Sequence, residues 1–395
     1  MHDAVVVSGA RTPVGRFGGS FKDVSAPDLG AVAIKAALER AGVSPDMVGE
    51  VVLGNALQAT EAGYAARLSS LRAGVPEEVP TIAINRQCSS GLEAINMAAQ
   101  LVRTGEVDIV VAGGIENMSQ APYMLDYKVR FDGLRMGDGS LIDGLVEGLG
   151  CPVNRYHMGV TAENVAERFG VSREDQDEMA LMSHGRAVAA IESGRFKGQI
   201  ESVSVPQRRG DPVVVDTDEG PRADTTLERL AQLRPVFKKD GSVTAGNASG
   251  INDGAAAVVL MSAEKAAELG IQPKLKWHTR GVAGVEPAVM GIGPVPAVRK
   301  ALGKAGMEMG DIDLVELNEA FASQALYCIR ELGMDIDKTN VNGSGISLGH
   351  PVGATGAIMT VKLLDEIEQR DQSLGLVTMC VGGGQGVATI FERIN

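Results

Sequence analysis

The sequence predicts an α/β fold made of two similar halves, with an insertion carried by the first half. Three observations support this expectation. Short β-branched runs alternate with longer stretches of helical period, a segment near the N-terminus recurs near the C-terminus, and the middle of the chain is richer in charge and proline. Alternating strands and helices are typical of α/β architectures.

Glycine marks the ends of the predicted strands and helices. Runs such as AVVVSG (4–9) and DIVVAGG (108–114) are short, apolar and β-branched, as expected of buried strands. The stretches DLGAVAIKAALERAG (28–42) and GLEAINMAAQLVRTG (91–105) have the apolar spacing of helices. Each of them ends in a glycine, which is the usual residue just past a helix C-terminus.

An internal repeat joins residues 33–56 to residues 297–320 at one fixed offset and without a gap. Gly42 matches Gly306, so that a helix, a capping glycine, a turn and a buried strand recur in the same order. The alternative is that helix–glycine–strand units resemble each other by chance. The gapless length of 24 residues favours a duplicated unit.

Residues 118–247 have a different character from the rest of the chain. They contain irregular, charged and proline-rich segments such as PQRRGDPVVVDTDEGPRADTT (206–226). We interpret this stretch as an insertion in the N-terminal half. We expect it to take part in ligand binding, because loops placed on a rigid scaffold commonly do so.

The composition argues against several classes of protein. The net charge is −13 and no basic run is present, so nucleic acid is not an expected partner. No apolar run approaches the roughly 18 residues of a membrane span, and the N-terminus lacks the features of a signal peptide. Four widely spaced cysteines without a C-x-x-C pair fit a reducing compartment and give no support for structural zinc. We therefore expect a cytoplasmic protein.

The heptapeptide NRQCSSG (85–91) places Cys88 between a predicted strand, TIAI (81–84), and a predicted helix, LEAINMAAQLV (92–102). At the first turn of a helix, free N–H groups and the helix dipole favour the thiolate, so we expect a lowered pKa and a nucleophile. Gly91 would allow another backbone or a substrate to come close. The alternative is a buried free cysteine that acts as a small hydrophobic residue.

Cys380 opens CVGGGQG (380–386) directly after the apolar run LGLVTM (374–379). Three successive glycines suggest a tight turn whose N–H groups approach something closely. A phosphate-binding loop is the rival interpretation. It would require a following G-K-[ST] and a helix, whereas VATIFERI (387–394) has the pattern of a strand.

His350 and Asn318 also occupy turns at the ends of predicted elements. His350 lies in NGSGISLGHPVGATG (342–356), where Pro351 restricts its backbone to extended or turn geometry. Asn318 ends the repeated strand, at the carboxyl edge where α/β proteins bind ligands. The alternatives are a structural histidine that bonds a loop carbonyl and a helix N-cap asparagine.

Taken together, these motifs resemble those of the thiolase family over essentially the whole chain. The matching segments, in the order of the family, are NRQCSSG (85–91), GGIENMS (113–119), YHMGVTAE (156–163), GNASGINDGAA (246–256), NEAFA (318–322), LGHPVGATG (348–356) and CVGGGQG (380–386).

The resemblance implies a five-layered α/β/α/β/α core made of two similar halves, with a loop domain over the active site. The N-terminal half would comprise residues 1–117 and 248–270, the loop domain residues 118–247, and the C-terminal half residues 271–395. Members of the family are usually dimers of dimers, so a homotetramer is expected. Acyl-CoA thioesters are the implied substrates, and no metal or other cofactor is required.

The resemblance also implies the role of each residue. Cys88 would be the nucleophile that takes up the acyl group, His350 would deprotonate it, and Cys380 would remove or return the α-proton of the second acetyl-CoA. One oxyanion hole would use His350 with a water held by Asn318. The other would use the backbone N–H groups of Cys88 and Gly382.

The implied contacts to coenzyme A involve seven residues. We expect Arg222 near the nucleotide, unless it is only a solvated loop charge. Four residues would contact the pantetheine arm, namely Ser249, Met290, Ala320 and Phe321. Two would lie at the lip of the acyl pocket, His157 and Met158.

Substrate length is the open question. QCSSG resembles the degradative, broad-chain branch, whereas RMGDGSLIDGL (135–145) and YHMG resemble the short-chain branch. Because Met158 would shorten the acyl pocket, we expect the activity of an acetyl-CoA C-acetyltransferase. The alternatives are a 3-ketoacyl-CoA thiolase of longer chains and a non-catalytic CoA-binding relative. The sequence also departs from the usual pattern at Gly343–Ser344 and at ATG (354–356).

Overall fold

A computed structural model describes residues 1–394, apart from the side chains of Thr60 and Ala62. Its strands are β1 (Ala4–Arg11), β2 (Gly15–Arg16), β3 (Glu50–Gly54), β4 (Thr81–Ile84), β5 (Ile109–Asn117), β6 (Tyr123–Met124), β7 (Ile142–Asp143), β8 (Gly150–Cys151), β9 (Tyr156–His157), β10 (Val203–Val205), β11 (Val213–Val215), β12 (Asn252–Ser262), β13 (Leu275–Gly284), β14 (Leu314–Leu317), β15 (Leu374–Val381) and β16 (Gln385–Arg393).

Its α-helices are α1 (Ala26–Ala41), α2 (Ala65–Arg72), α3 (Ser90–Thr104), α4 (Val129–Asp132), α5 (Gly144–Gly148), α6 (Met158–Phe169), α7 (Arg173–Glu192), α8 (Leu227–Ala231), α9 (Ala263–Leu269), α10 (Pro294–Ala305), α11 (Ala322–Leu332), α12 (Gly345–Leu348) and α13 (Thr355–Gln369). None of the helices described in residues 1–394 is both long and apolar enough to cross a membrane.

The main sheet consists of two halves with the same strand order, except that the first half has an additional edge strand, β4. The first half runs β1-β12-β5-β3-β4, and the second runs β13-β16-β15-β14. In the first half, β3 pairs in parallel with both β4 and β5, and in the second half β14 pairs in parallel with β15. The other pairings within each half are antiparallel. Only two residue pairs, Val5 with Lys276 and Val6 with Leu275, join β1 to β13.

Three apolar cores hold the five layers together. The first lies between α1 and the first half-sheet and contains Ile34 and Ile115. The second lies between the half-sheets and contains the apolar faces of α3 and α13. The third packs α10 and α11 on the second half-sheet, with Val298 and Ile329 buried. Each large apolar side chain buried in this way stabilises the fold by about 1.5–3 kcal/mol. The predicted five-layered α/β architecture is therefore confirmed.

The predicted duplication is also confirmed. Helices α1 and α10 both end at a left-handed glycine, Gly42 with φ 66° and Gly306 with φ 68°. A short 3₁₀ turn follows each glycine and leads into β3 or β14. Strand β3 then pairs in parallel with β5, and β14 with β15.

The central helices α3 and α13 pack directly against each other. A Cβ on Gly91, in the first turn of α3, would lie 2.9 Å from the backbone of both Gly353 and Ala357. A Cβ on Gly356, in the first turn of α13, would lie 2.5 Å from the Leu92 nitrogen. Because real Cβ contacts are not this short, both positions need glycine for the two helix N-termini to meet, as expected for Gly91.

The stretch between β5 and β12 consists of short hairpins and helices α4 to α8. It is anchored to β1 by Arg11, whose buried guanidinium donates to both carboxylate oxygens of Asp218 at 2.7 and 2.9 Å. Arg11 also donates to the Gln199 side chain at 2.7 Å. A buried pair of this kind is costly to break, because removing one partner leaves an uncompensated charge.

Candidate active site

Cys88 lies in a tight turn between β4 and α3. The turn, Gln87–Ser89, is a 3₁₀ helix that continues directly into α3, so Cys88 precedes the first α-helical turn. Gln87 has φ 46°, a left-handed conformation that costs a non-glycine residue about 1–2 kcal/mol. The Asn85 side chain accepts the Gln87 N–H at 2.9 Å, and Ser90 donates to the Gln87 carbonyl at 2.7 Å. These bonds hold the half-buried thiol in place.

The expected lowering of the Cys88 pKa is wrong. Burial raises the pKa of Cys88, and the charge of Glu116 acts in the same direction. The backbone N–H groups of Gly382 and of Cys88 itself do lower it, but burial has the larger effect. Burial outweighs the N–H groups because a thiolate removed from water loses more hydration than two amides return. The thiol therefore needs a base to become a nucleophile.

Cys380 lies at the end of β15, in a hairpin with β16. The strand extends two residues beyond the predicted LGLVTM run, to Val381, and Cys380 pairs with Gly386. Residues Gly383 and Gly384 form the turn with φ 84° and 88°, so the predicted tight turn is present. Burial raises the pKa of Cys380 well above its usual value, and the neighbouring thiols Cys88 and Cys328 raise it further.

His350 is held in a buried loop between α12 and α13. Its backbone N–H donates to the Asn252 side chain at 3.0 Å. Its Nδ1 lies 2.6 Å from the Thr355 hydroxyl, and its Nε2 lies 3.4 Å from the Asn318 amide nitrogen. Burial lowers the pKa of His350 to about 4, so the ring is neutral at pH 7 and has a lone pair to accept a proton.

Asn318 directly follows β14 and is completely buried. Its backbone N–H donates to the Thr378 carbonyl at 3.0 Å, and its side-chain oxygen has no partner within residues 1–394. The N-cap alternative is wrong, because α11 begins only at Ala322, after the cap residue Phe321. The side-chain oxygen is therefore available to accept a hydrogen bond, for example from the water expected there.

A cavity of about 400 Å³ reaches Cys88 and His350, whereas Asn318 does not line it and lies behind the His350 ring, 3.4 Å from its Nε2. Three predicted chemical groups line it, Cys88, His350 and Gly382. Six of the predicted substrate contacts line it as well: His157, Met158, Ser249, Met290, Ala320 and Phe321. Cys380 packs in the same apolar cluster as Met290 and Phe321, directly behind the cavity wall.

The loop region and the C-terminal half form opposite walls of the cavity. The His157 ring stacks on Phe237 with centroids 4.7 Å apart, and Phe237 meets Phe321 edge-on at 6.2 Å. The Ser249 N–H donates to the Ala320 carbonyl at 3.0 Å, which ties the segment before β12 to the end of β14. The result is a narrow apolar channel with a few polar backbone groups.

Arg222 lies outside that cavity, in an adjoining one of about 350 Å³. The two cavities share wall residues, including Ala248 and Gly250. Arg16 and Arg229 also line the outer cavity, and the one carboxylate among its described lining residues, Asp224, pairs with Arg229, so the lining carries a net positive charge although the chain as a whole is acidic. Such a cluster suits an anionic group.

His184 is a residue of the outer cavity that the sequence did not point out. Its Nδ1 accepts the Arg222 backbone N–H at 3.2 Å. Burial lowers the pKa of His184 to about 4, and the charges of Arg222 and Arg16 contribute. Its position in the middle of α7 gave no signal, because only the folded chain brings this helix beside residues 220–225.

Glu116 is a second residue that the sequence did not point out. Its carboxylate accepts from the backbone N–H groups of Ala56 and Gly353 at 3.0 and 2.8 Å, and from the Asn55 amide at 2.8 Å. Burial nevertheless raises the pKa of Glu116 to about 7. The carboxylate joins the loop after β3 to the loop after His350, so it supports both sides of the cavity floor.

Comparison with known proteins agrees with this geometry. The family model described as "Thiolase, N-terminal domain" matches residues 4–264, and "Thiolase, C-terminal domain" matches residues 271–393. The acetyl-CoA acetyltransferase of Cupriavidus necator is 52% identical over 394 residues, covering 100% of both chains.

Two solved structures have the same fold over the whole chain. The acetyl-CoA acetyltransferase of Bacillus anthracis is 48% identical with a TM-score of 0.97, covering 100% of this chain and 99% of that one. Human mitochondrial 3-ketoacyl-CoA thiolase in complex with CoA is 44% identical with a TM-score of 0.96, covering 100% and 98%. The chain therefore belongs to the thiolase family.

Proposed function

We propose that this protein is an acetyl-CoA C-acetyltransferase, which reversibly condenses two acetyl-CoA molecules to acetoacetyl-CoA and CoA. The observation that carries the proposal is one cavity in which the half-buried Cys88 thiol, the neutral His350 ring and the Gly382 backbone meet. The relatives described above, named as acetyl-CoA acetyltransferases, support the same activity.

The first half-reaction acylates Cys88. His350 accepts the proton of the thiol, and the resulting thiolate attacks the carbonyl of acetyl-CoA. The CoA sulfur leaves and takes a proton from Cys380, so that Cys88 carries the acetyl group, His350 is protonated and Cys380 is a thiolate. The raised pKa of Cys88 explains why the nucleophile depends on a base.

The second half-reaction forms the carbon–carbon bond. The Cys380 thiolate removes the α-proton of a second acetyl-CoA, and the carbanion attacks the acetyl carbonyl on Cys88. Cys88 leaves and recovers its proton from His350, which restores every group to its starting state. A thiolate whose conjugate acid has a strongly raised pKa is a strong base, which suits removal of a weakly acidic C–H proton.

Two sets of donors would stabilise the oxyanions of these steps. His350 Nε2 and a water held by Asn318 face one reacting carbonyl in this scheme, and the backbone N–H groups of Cys88 and Gly382 face the other. Both N–H groups already act on the Cys88 sulfur, since they lower its pKa. Loss of one such donor typically costs about 10²–10³ in rate.

Coenzyme A would extend from the inner cavity into the outer one. The apolar channel lined by Met290, Ala320 and Phe321 fits the thin pantetheine arm. The basic outer cavity at Arg222 fits the phosphates. CoA is a substrate in this scheme, and no resident cofactor or metal takes part.

A 3-ketoacyl-CoA thiolase acting on longer chains is the second candidate. It is favoured by apolar side chains beside Cys88, because Met118, Leu149 and Val352 line the cavity there. Met158 argues for the shorter substrate, since its methyl group already fills the space in front of Gly382.

The decisive experiment compares kcat/KM for thiolysis of acetoacetyl-CoA with that of 3-ketoacyl-CoA substrates of increasing length. A clear preference for acetoacetyl-CoA is the expected result. Equal or higher kcat/KM values for long-chain substrates would favour the second candidate, the 3-ketoacyl-CoA thiolase. No thiolysis of any of them, with CoA binding intact, would indicate a non-catalytic relative.

We further propose a cytoplasmic homotetramer. Large apolar side chains are exposed between β6 and β7, for example Tyr127 at 71% and Phe131 at 78%, and Ile82 is exposed on the edge strand β4. Apolar patches of this kind mark association surfaces. Light scattering coupled to gel filtration should give four times the chain mass, and a monomer would contradict the proposal.

A further inference from the structure

The His350 loop is followed at once by a buried hydroxyl that touches the ring. Thr355 is the first residue of α13, and its side-chain oxygen lies 2.6 Å from His350 Nδ1 and 2.8 Å from the Pro351 carbonyl oxygen. Both side chains are buried, with 6% of His350 and 3% of Thr355 exposed. A buried contact this short between polar atoms is a specific hydrogen bond.

The direction of this bond is determined once His350 carries a second proton. An imidazolium has an N–H at both nitrogens and accepts nothing. When Nε2 holds the proton from Cys88, Nδ1–H must therefore donate to Thr355. The hydroxyl of Thr355 then directs its own proton to the Pro351 carbonyl, which lies within reach at 2.8 Å.

We infer that Thr355 is a positioning residue, whose hydroxyl orients the His350 ring and accepts Nδ1–H while Nε2 carries the proton taken from Cys88. The inference rests on the proposed function. With Nδ1 bonded to Thr355, Nε2 is the nitrogen that remains for the cavity and for Asn318, 3.4 Å away.

A hydroxyl has a different effect from a carboxylate at this position. A carboxylate would stabilise the imidazolium strongly and hold the proton on the ring. A neutral hydroxyl fixes the orientation but adds no charge, and burial of His350 keeps the resting ring unprotonated. The histidine can thus accept the proton of Cys88 and also return it at the end of the cycle.

Other titratable groups surround the pair. The Cys88 thiol lies on the turn before α3, and the Cys380 thiol lies on β15. This turn and this strand pack against each other. Glu116 on β5 holds the loop after His350, and Glu319 follows Asn318 at the end of β14. These groups can also affect a pH profile, so the profile of a Thr355 variant has to be compared with that of a control variant in which these groups are unchanged.

Helix α13 provides a matched control. Thr360 is also buried, and its hydroxyl donates to the carbonyl four residues earlier, Gly356, at 2.8 Å. Thr355 makes the same backbone bond to Pro351. The substitutions Thr355→Val and Thr360→Val thus remove the same helix bond, but only the first removes the partner of His350.

The experiment measures two quantities in the full-length protein and in the variants Thr355→Val, Thr355→Ser and Thr360→Val. One is kcat and KM for thiolysis of acetoacetyl-CoA. The other is the rate at which iodoacetamide alkylates Cys88 as a function of pH, located by peptide mass spectrometry. Thermal unfolding shows whether each variant is folded, and Thr355→Ala replaces Thr355→Val if the latter is not.

We expect Thr355→Val to lower kcat by about 10-fold to 100-fold, because it leaves a buried N–H of the imidazolium without a partner. Its KM should stay near the wild-type value, and alkylation of Cys88 should require a higher pH. Thr355→Ser should restore most of both activities. Thr360→Val should behave like the wild type.

Two results would overturn the inference. One is a Thr355→Val variant indistinguishable from Thr360→Val in both measurements. The other is a Thr355→Ser variant as impaired as Thr355→Val, which would mean that packing of the methyl group matters and the hydroxyl does not. If the wild type does not thiolyse acetoacetyl-CoA, the proposed function fails, and the alkylation series still tests the contact between Thr355 and His350.

Discussion

The N-terminal and C-terminal halves share one plan but carry different chemistry at equivalent places. In both halves a helix, a left-handed glycine and a short 3₁₀ turn lead into a strand of the parallel part of the sheet. In both halves a later helix enters the central layer, α3 in the first and α13 in the second. The differences are concentrated in the turns that precede these two helices.

The turn before α3 contains Cys88, and the turn before α13 contains His350. Because Gly91 and Gly356 let the two helix N-termini approach to backbone contact, these turns are brought to the same cavity. The duplicated scaffold thus brings the two turns together, and divergence between the copies places the proposed nucleophile in one half and the proposed base in the other.

The strand ends of the halves differ in the same way. Strand β5 ends in Glu116 and Asn117, which bind backbone groups of neighbouring loops. The corresponding strand β15 has Cys380 as its penultimate residue, behind the cavity wall, and leads to Gly382, which lines the cavity. The N-terminal half thus uses this position for hydrogen bonds to loops, whereas the C-terminal half has residues there that we propose for the reaction.

Replacing either of the two thiols should have the largest effect on activity and should distinguish the roles of the two halves. Cys88→Ala removes the nucleophile, so we expect thiolysis to fall by at least about 10⁴-fold. Cys380→Ala keeps the nucleophile and His350 but removes the proton donor to the departing CoA sulfur, so Cys88 should still be acetylated, more slowly, while thiolysis falls by about 10³-fold. Steady-state kinetics with mass spectrometry of the intact protein measures both. Loss of acetylation in Cys380→Ala would mean that the halves do not act separately.

The insertion is the largest difference between the halves, and His184 within it should make stability depend on pH. The unfolded chain binds a proton at His184 below about pH 6.5, but the folded chain binds it only near pH 4. The contribution of neutral His184 to the free energy of unfolding is therefore fully present above pH 6.5. As the pH falls from 6.5 to 4, this contribution decreases by about 3 kcal/mol. Urea unfolding of His184→Gln should show a smaller loss over this range than the wild type.

The matched control for that measurement is His2→Gln, because the His2 side chain is 48% exposed and its partner Glu264 is exposed as well. Its stability should follow the wild-type pH curve. If His184→Gln also follows that curve, His184 does not remain neutral in the folded protein and the account of the outer cavity is wrong.

The contact of the halves in the central layer can be tested with three glycines in helices. Gly91→Ala and Gly356→Ala place a Cβ against backbone atoms, so each should lower the free energy of unfolding by about 1–3 kcal/mol. Gly303→Ala in α10 has open space around it and should raise the free energy of unfolding by about 0.5–1 kcal/mol. Equal effects at all three positions would show that the close approach is not required.

Arg222 should have the smallest effect. Arg222→Ala removes one of several positive charges from the outer cavity, so we expect KM for the CoA substrates to rise about 3-fold to 10-fold with little change in kcat. Arg209→Ala, an exposed arginine of the same loop region, is the control and should leave KM unchanged. An unchanged KM in Arg222→Ala would identify Arg222 as a solvated loop charge.

Much of the fold followed from sequence patterns that are local. The alternation of strands and helices and the repeat of 33–56 at 297–320 predicted the two halves correctly. Cys88, His350 and Asn318 were recognisable as candidates because each stands in a turn at the end of an element, where α/β proteins place the groups that bind ligands.

The parts that could not be predicted depend on contacts between distant segments. The predicted direction of the Cys88 pKa shift was wrong because Cys88 is buried by apolar side chains from several distant segments, which a single turn does not reveal. His184 is buried by residues 220–225, and Glu116 binds backbone groups from two separate loops. The residues adjacent to His184 and Glu116 in the sequence do not indicate these contacts.

The most direct test of the central claim is peptide mass spectrometry of the wild-type protein after incubation with acetyl-CoA. We predict one acetyl group, on Cys88, that disappears when free CoA is added and is absent in His350→Ala during the same time. Acetylation at another cysteine, or a Cys88 that stays unmodified while acetoacetyl-CoA is formed, would contradict the account.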